Sequence, residues 1–167
     1  MSDPVVTAAA ARTPMGGFQG ELSGATANQL GAVAIKEALE RAAVPIDDVD
    51  EVMMGNALPA GQGQAPARQA AFGARLPEGV PYTTLNKMCG SGIKTVMIAG
   101  DQLLAENGRV VVAGGMETMI TAPYVLPKMR GGARLGHAKV KDHMFLDGLE
   151  DAYDEGRLMG TFAEDCA

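Results

Sequence analysis

The sequence predicts a layered α/β fold in which helices cover a mostly parallel sheet. Segments with strand character alternate with helical segments along most of the chain, which is typical of parallel strands joined by right-handed crossovers. Of the 167 residues 22 are glycine and only 4% are aromatic, a composition suited to closely packed layers and tight turns. With 47% hydrophobic and 20% charged residues, the chain is predicted to be globular and not disordered.

The first elements are a strand and a capped helix. The strand is predicted from Pro4 to about Ala10, in PVVTAAA, and is followed by the glycine-rich loop RTPMGGFQGEL. Ser23 or Thr26 is a suitable N-cap for a helix that continues to about Ala43. Its predicted inner face consists of Leu30, Val33, Ala34, Ala38 and Leu39.

Three further strands and two helices are predicted before residue 119. VDEVMMG is a strand ending at Gly55, ARQAAFGARL a short helix and GVPYTTLN the third strand. SGIKTVMIAGDQLLAEN is a helix with Gly108 beyond its end. RVVVAGG is apolar enough to predict a fourth strand buried on both faces.

Composition also limits the classes of function. A net charge of −6 argues against a general nucleic-acid binder, whose affinity depends on a basic surface. We find no apolar run of about 18 residues and no secretion leader, so neither a membrane span nor export is expected. Cys89 and Cys166 are therefore predicted to be free thiols in the cytoplasm.

The pattern changes near residue 118, which divides the chain into a core domain, 1–118, and a second region, 119–167. The second region has weaker periodicity and is predicted to begin an inserted loop domain. Between Glu117 and Asp142 it has no acidic residue but several basic ones: Lys128, Arg130, Arg134, Lys139 and Lys141. A solvated loop and a patch that attracts the phosphates of an anionic cofactor are both consistent with this charge.

The segment LNKMCGSGIKTV places Cys89 between the third strand and the following helix. The carboxyl end of a parallel strand is where ligands bind, and the helix N-terminus favours a thiolate. Gly90 and Gly92 leave space for a substrate and for backbone N–H groups around an oxyanion. The alternative is that Cys89 is a small buried hydrophobic residue, and these observations leave both interpretations open.

Family resemblance favours the interpretation of Cys89 as a nucleophile. LNKMCGSGIKTV resembles the acyl-accepting cysteine segment of the thiolases, and AARTPMGGFQGEL, VVVAGGMETM, KDHMFLDGLEDAY and MGTFAE are similar to other thiolase segments in the same order. Ketosynthases share the fold but differ around their cysteine. The resemblance implies a thiolase-like α/β/α domain with a mixed, mostly parallel sheet.

The resemblance also implies a reaction. Cys89 would attack the thioester of an acyl-CoA, and acetyl-CoA would then attack the acylated cysteine to form a 3-ketoacyl-CoA, or the reverse. The most favoured case joins two molecules of acetyl-CoA to give acetoacetyl-CoA and CoA. No tightly bound cofactor or metal is implied, since coenzyme A thioesters are the substrates. A role in fatty acid metabolism is expected.

The chain departs from the family in length and in two motifs. Thiolases activate the cysteine with a histidine in a Gly-His-Pro motif and use a second cysteine in a Cys-x-Gly motif, and neither motif is present. His137 and His143 do not match this histidine, and Cys166 is expected to have a packing role. The chain is therefore interpreted as a thiolase N-terminal half that is inactive alone and needs a C-terminal half, from the same gene product or another chain.

Several residues of the second region match a substrate site. Leu149, Leu158 and Met159 correspond to family positions that line the channel for the pantetheine arm of CoA, although Leu158 stands where many members have histidine. The basic loop corresponds to one that joins subunits, which implies a dimer or tetramer. Competing hypotheses are a non-catalytic scaffold, a redox thiol and a dinucleotide site, the last two lacking their motifs.

Overall fold

A computed structural model describes residues 5–167, and it has the layered α/β architecture that the sequence predicts. A three-stranded parallel sheet and three helices form its core. The core elements are helix α1 (Ala27–Ala42), strand β1 (Glu51–Gly55), helix α2 (Pro66–Gly73), strand β2 (Tyr82–Leu85), helix α3 (Ser91–Leu104) and strand β3 (Val111–Gly115).

The sheet order β2-β1-β3 makes β1 the central, buried strand. Because the chain moves to one side of β1 for β2 and to the other side for β3, right-handed crossovers put α2 and α3 on opposite faces. Val52 and Met54 join the apolar cluster formed with α1 and α2. Met53 is also buried but alternates to the other face, toward α3.

Helix α1 begins after Thr26, one of the two predicted caps, but its buried face matches the prediction only in part. The Thr26 side chain accepts a hydrogen bond from the backbone N–H of Gln29, and the Gln29 side chain accepts one from the Thr26 N–H. The predicted inner face is wrong at Val33, which is 60% exposed, and right at Leu39, which is buried. The other three predicted residues, Leu30, Ala34 and Ala38, are half-buried. The buried side follows i, i+4 spacing through Ala27, Gly31, Ile35 and Leu39.

Small residues explain why α1 buries this face. A β-carbon on Gly31 would lie 3.2 Å from that of Ala70, and one on Gly73 would lie 2.7 Å from that of Ala32. Helices α1 and α2 therefore approach closely along a stripe of alanine and glycine. The apolar pattern of α1 alone does not show which of its small residues meet α2.

Two predicted strands differ from the structure. Strand β3 is only half-buried because it lies at the edge of the sheet, so the prediction of burial on both faces is wrong. Residues 5–10 form no strand, since they are paired with no neighbouring strand, and Val6 is 73% exposed. Pro4, where that strand was predicted to start, lies outside the described residues.

The region after residue 118 contains short elements. Strands β4 (Tyr124–Val125) and β5 (Lys141–Asp142) pair antiparallel, a π-helical turn spans Phe145–Leu149, and helix α4 spans Met159–Asp165. Residues 127–140 between the two strands are exposed. In the part of the chain that the structure describes, no helix has the length and apolar character needed to cross a bilayer.

Glycines allow the first turn of α3 to rest directly on the ends of β1 and β3. A β-carbon on Gly55 would lie 2.6 Å from the carbonyl carbon of Ser91, and one on Gly115 would lie 3.2 Å from the Cα of Gly92. Real β-carbons do not approach backbone atoms to 2.6 Å. The position of the helix start therefore depends on Gly55 in particular.

Gly55→Ala is expected to lower the free energy of unfolding by about 1–3 kcal/mol, because the added methyl group forces α3 away from the sheet. Gly100→Ala is the matched control, since a β-carbon there meets no atom within 4 Å. As a helix-interior change it is expected to stabilise by about 0.5–1 kcal/mol. Urea denaturation measures the stability of both variants. A Gly55→Ala variant with the same urea midpoint as the wild-type protein would contradict the close contact between β1 and α3.

Asp50 connects the segments that lead into β1 and β3. Replacing it with asparagine should cause a loss of stability that depends on pH. Its Oδ2 accepts hydrogen bonds from the backbone N–H groups of Arg109, at 2.6 Å, and Val110, at 2.9 Å. These bonds, that from Arg109 foremost, hold the pKa of the Asp50 carboxyl below its ordinary value. A lowered pKa stabilises the fold above the ordinary value of about 3.9, and the effect is lost as pH falls through the lowered pKa.

We therefore expect Asp50→Asn to lower the thermal midpoint at pH 7 and to approach the wild-type midpoint as the pH falls below about 4. Asp47→Asn is the control, because within residues 5–167 the Asp47 side chain makes no hydrogen bond or ion pair. Thermal melts followed by circular dichroism from pH 7 to pH 3 measure the difference. A difference in thermal midpoint between Asp50→Asn and the wild-type protein that is constant with pH would contradict the role of the Asp50 charge.

Candidate active site

Cys89 lies on the turn between β2 and α3, as the sequence predicts. The strand ends at Leu85, and the helix begins at Ser91 with Gly90 as its N-cap. The Cys89 side chain is exposed and is a free thiol. The interpretation of Cys89 as a buried hydrophobic residue is therefore wrong for this chain, and its sulfur is accessible to a reagent.

The residue before the cysteine has a strained backbone that hydrogen bonds hold from both sides. Met88 has a φ of 50°, in the left-handed region, which costs about 1–3 kcal/mol unless its surroundings enforce it. Its N–H donates to Oδ1 of Asn86 at 2.9 Å. Its carbonyl accepts from the N–H of Ser91, at 3.0 Å, and from the Ser91 hydroxyl, at 2.6 Å. This arrangement projects Cys89 out of the turn.

A cavity of about 330 Å³ opens beside Cys89. The ends of β1 and β3, the Cys89 turn, Glu117, Met119 and Gly148 line this cavity. In the described chain the backbone N–H of Cys89 has no hydrogen-bond acceptor, so it is available to a ligand. Gly92 also lines this cavity, as its sequence position suggested, and a β-carbon there would lie 3.6 Å from the Cα of Gly115.

Glu117, two residues beyond β3, is the acidic group of this cavity. Its carboxylate accepts hydrogen bonds from Nδ2 of Asn56 at 3.0 Å and from the backbone N–H groups of Ala57 at 2.6 Å and Leu58 at 3.3 Å. Burial raises the pKa of the Glu117 carboxyl, while the backbone hydrogen bonds and the nearby His143 act in the opposite direction. Sequence reasoning missed Glu117, although its place just after a strand was a signal.

Neither histidine of the chain lines the Cys89 cavity. His143 is buried, and its Nδ1 lies 2.6 Å from Oδ2 of Asp147. His137 is exposed in the loop between β4 and β5. Cys166 is exposed at the end of α4, a helix with no buried residue, so the expected packing role is wrong for the described chain.

The three residues predicted for the pantetheine channel lie near one another in the chain's second region. Leu149 ends the π-helical turn and follows Gly148, which lines the cavity. An antiparallel bridge pairs Glu150 with Leu158 and so brings the two segments together. Leu158 is 43% exposed and Met159 is 48% exposed, but neither lines the Cys89 cavity. Within residues 5–167 no three His, Cys, Asp or Glu side chains form a metal-binding group.

Comparison with known proteins agrees with the resemblance. The family model "Thiolase, N-terminal domain" matches residues 5–167. The chain is 53% identical over 163 residues to an acetyl-CoA acetyltransferase of Cupriavidus necator, and 52% identical to the mitochondrial acetyl-CoA acetyltransferase B of Xenopus laevis. An acetyl-CoA acetyltransferase of Pseudomonas aeruginosa is 50% identical.

These matches cover 98% of this chain but 38–41% of the relatives, so the chain spans about two fifths of their length. The family model covers almost the whole chain, and the matched segment includes the Cys89 turn and the glycines that position it. The chain belongs to the thiolase family and corresponds to its N-terminal domain.

Proposed function

We propose that the protein containing this chain transfers acyl groups between coenzyme A thioesters through an acyl-cysteine at Cys89. The observation that carries the proposal is an exposed thiol on a strained turn, beside a cavity and next to its own free N–H group. The names of the relatives support acetyl-CoA as the substrate. The family resemblance implies acetoacetyl-CoA and CoA as the products of its condensation.

In the first step the Cys89 thiolate attacks the carbonyl carbon of the thioester. The negative charge moves to the carbonyl oxygen, toward which the N–H of Cys89 can donate. The bond to the CoA sulfur then breaks, and that sulfur takes the proton that Cys89 gave up. In the second step a base of the C-terminal half, which the family resemblance implies, removes a proton from the methyl carbon of acetyl-CoA. That carbon attacks the acyl carbon, the cysteine sulfur leaves with its bonding electrons, and the proton passes to that sulfur.

CoA is proposed to reach the cavity along the second region of the chain. The half-exposed apolar side chains of Leu158 and Met159, beside Leu149, suit the slender and mostly apolar pantetheine arm. No tightly bound cofactor is needed for this chemistry. Free thiols at both cysteines support a reducing compartment such as the cytoplasm.

The central prediction is a covalent acyl adduct on Cys89. Incubation of the complete protein with acetyl-CoA should add one acetyl group, located on Cys89 by mass spectrometry of its peptides. Cys89→Ala should remove the adduct and lower turnover by at least about 1000-fold, because no other group in the cavity can replace the sulfur.

Cys166→Ala is the matched control and should keep both adduct formation and turnover, since Cys166 is exposed at the end of α4 and does not line the cavity. An active Cys89→Ala variant, or an adduct that persists in it, would falsify the nucleophile assignment.

A second candidate function is that this chain alone is a binding module that becomes active only with a C-terminal thiolase half. One face of helix α3 favours it, because apolar residues spaced along that face are uncovered. Their exposures are 72% for Ile93, 54% for Val96, 54% for Met97 and 62% for Leu104. A continuous apolar face of this kind is typical of a contact with another part of the protein.

Residues 1–167 expressed alone are therefore expected to show no turnover and to self-associate, as measured by light scattering after gel filtration. Addition of the C-terminal half as a separate polypeptide should give turnover and reduce the self-association. Ile93→Lys should weaken this rescue, whereas Glu78→Lys, on an exposed loop, should not. Turnover by the pure isolated chain would contradict this function.

The loop between β4 and β5 is proposed to join subunits in a dimer or tetramer. Its residues are exposed, and it combines basic side chains with the fully exposed Leu135 and with Val140, which is 58% exposed. A loop that keeps large apolar side chains in water is better explained by a protein contact than by phosphate binding alone.

A further inference from the structure

We propose that Glu117 is a positioning residue for acyl transfer, which acts on Cys89 through Ala57 and Asn86. This inference rests on the proposed function, because it assigns Glu117 a role in acylation of Cys89. Glu117 lines the same cavity as Cys89 but is held by hydrogen bonds to the loop after β1. The proposal follows from the path of those bonds.

The first step of the path joins Glu117 to one peptide group. The Leu58 N–H donates to the Glu117 carboxylate at 3.3 Å, and the Ala57 carbonyl of the same peptide accepts from Nδ2 of Asn86 at 3.0 Å. The Ala57 N–H donates to the carboxylate as well, at 2.6 Å. A peptide that donates at one end and accepts at the other is polarised by both partners, which strengthens the two bonds together.

The second step of the path joins Asn86 to the cysteine turn. The same side chain that donates to Ala57 accepts, through Oδ1, the N–H of Met88. Met88 is the left-handed residue directly before Cys89, so the orientation of Asn86 fixes the direction in which the turn projects the sulfur and the N–H of Cys89. A misplacement of about 1 Å at a reacting group can cost about 100-fold in rate.

An ionised carboxylate fits this place better than an amide. The groups around it, namely Nδ2 of Asn56 and the backbone N–H groups of Ala57 and Leu58, all donate hydrogen bonds. A carboxylate only accepts, whereas glutamine would turn an NH₂ group toward at least one of these donors. Glu117→Gln therefore disturbs the path while changing the side-chain volume little.

The test compares Glu117→Gln, Asn86→Ala and the double variant in the complete protein, with Glu78→Gln as the matched control. Glu78 is exposed, and in the described chain its side chain makes no hydrogen bond. Two rates are measured at a temperature at which circular dichroism shows that each variant is folded. They are single-turnover acetylation of Cys89 at saturating acetyl-CoA and alkylation of Cys89 by iodoacetamide, with exposed Cys166 as the internal reference.

We expect Glu117→Gln and Asn86→Ala each to slow acetylation by about 10- to 100-fold while the half-saturating acetyl-CoA concentration changes by less than about twofold. The ratio of Cys89 to Cys166 alkylation should fall by at least about threefold. Because both residues act along one path, the double variant should be slowed by clearly less than the product of the single effects.

Three results would overturn the proposal. One is a normal alkylation ratio despite slow acetylation, which would mean that Glu117 acts directly on the substrate. Another is a lowered thermal midpoint with both rates unchanged, which would leave only a structural role. The third is a double variant whose acetylation is slowed by the full product of the two single effects. If wild-type protein forms no acetyl adduct, the proposed function fails, and the alkylation ratio alone decides the role of Glu117.

Discussion

The close contact between the first turn of α3 and the ends of β1 and β3 is the constraint on which the site depends. It exists because Gly55 and Gly115 bring no side chain to the contact. The contact puts the helix start, and so Cys89, at the edge of the sheet where the cavity opens. A helix held even one methyl group farther away would separate the cysteine turn from the residues that follow β1 and β3.

Hydrogen bonds hold the cysteine turn in place in addition to this packing. On the side of the turn next to α3, the Ser91 hydroxyl accepts a hydrogen bond from the Lys87 N–H and donates one to the Met88 carbonyl. The network from Glu117 to Asn86 fixes the other side. Burying the Glu117 carboxylate has a desolvation cost that raises its pKa, and its hydrogen-bond donors offset this cost only in part. The strained Met88 conformation can persist because both sides enforce it.

Local signals in the sequence were sufficient for the α/β fold, for a helix cap at Ser23 or Thr26 and for the place of Cys89 between a strand and a helix. They failed where the answer depends on neighbours distant in sequence. The inner face of α1 is set by glycine and alanine contacts with α2, and the half-burial of β3 is set by its position at the sheet edge. The bonds of Glu117 to the β1 loop span about 60 residues, and no local pattern encodes them.

Helix α3 connects Cys89, the proposed nucleophile, with the uncovered surface of the chain. It begins beside Cys89, and its outer face leaves Ile93 and Leu104 in water. An acyl-cysteine is a reactive thioester that must be protected from hydrolysis, and a cavity beside an exposed cysteine protects it little. Whatever covers α3 along its length also approaches the mouth of this cavity. The proposed dependence of activity on a C-terminal thiolase half thus has a physical basis in the uncovered face of this helix.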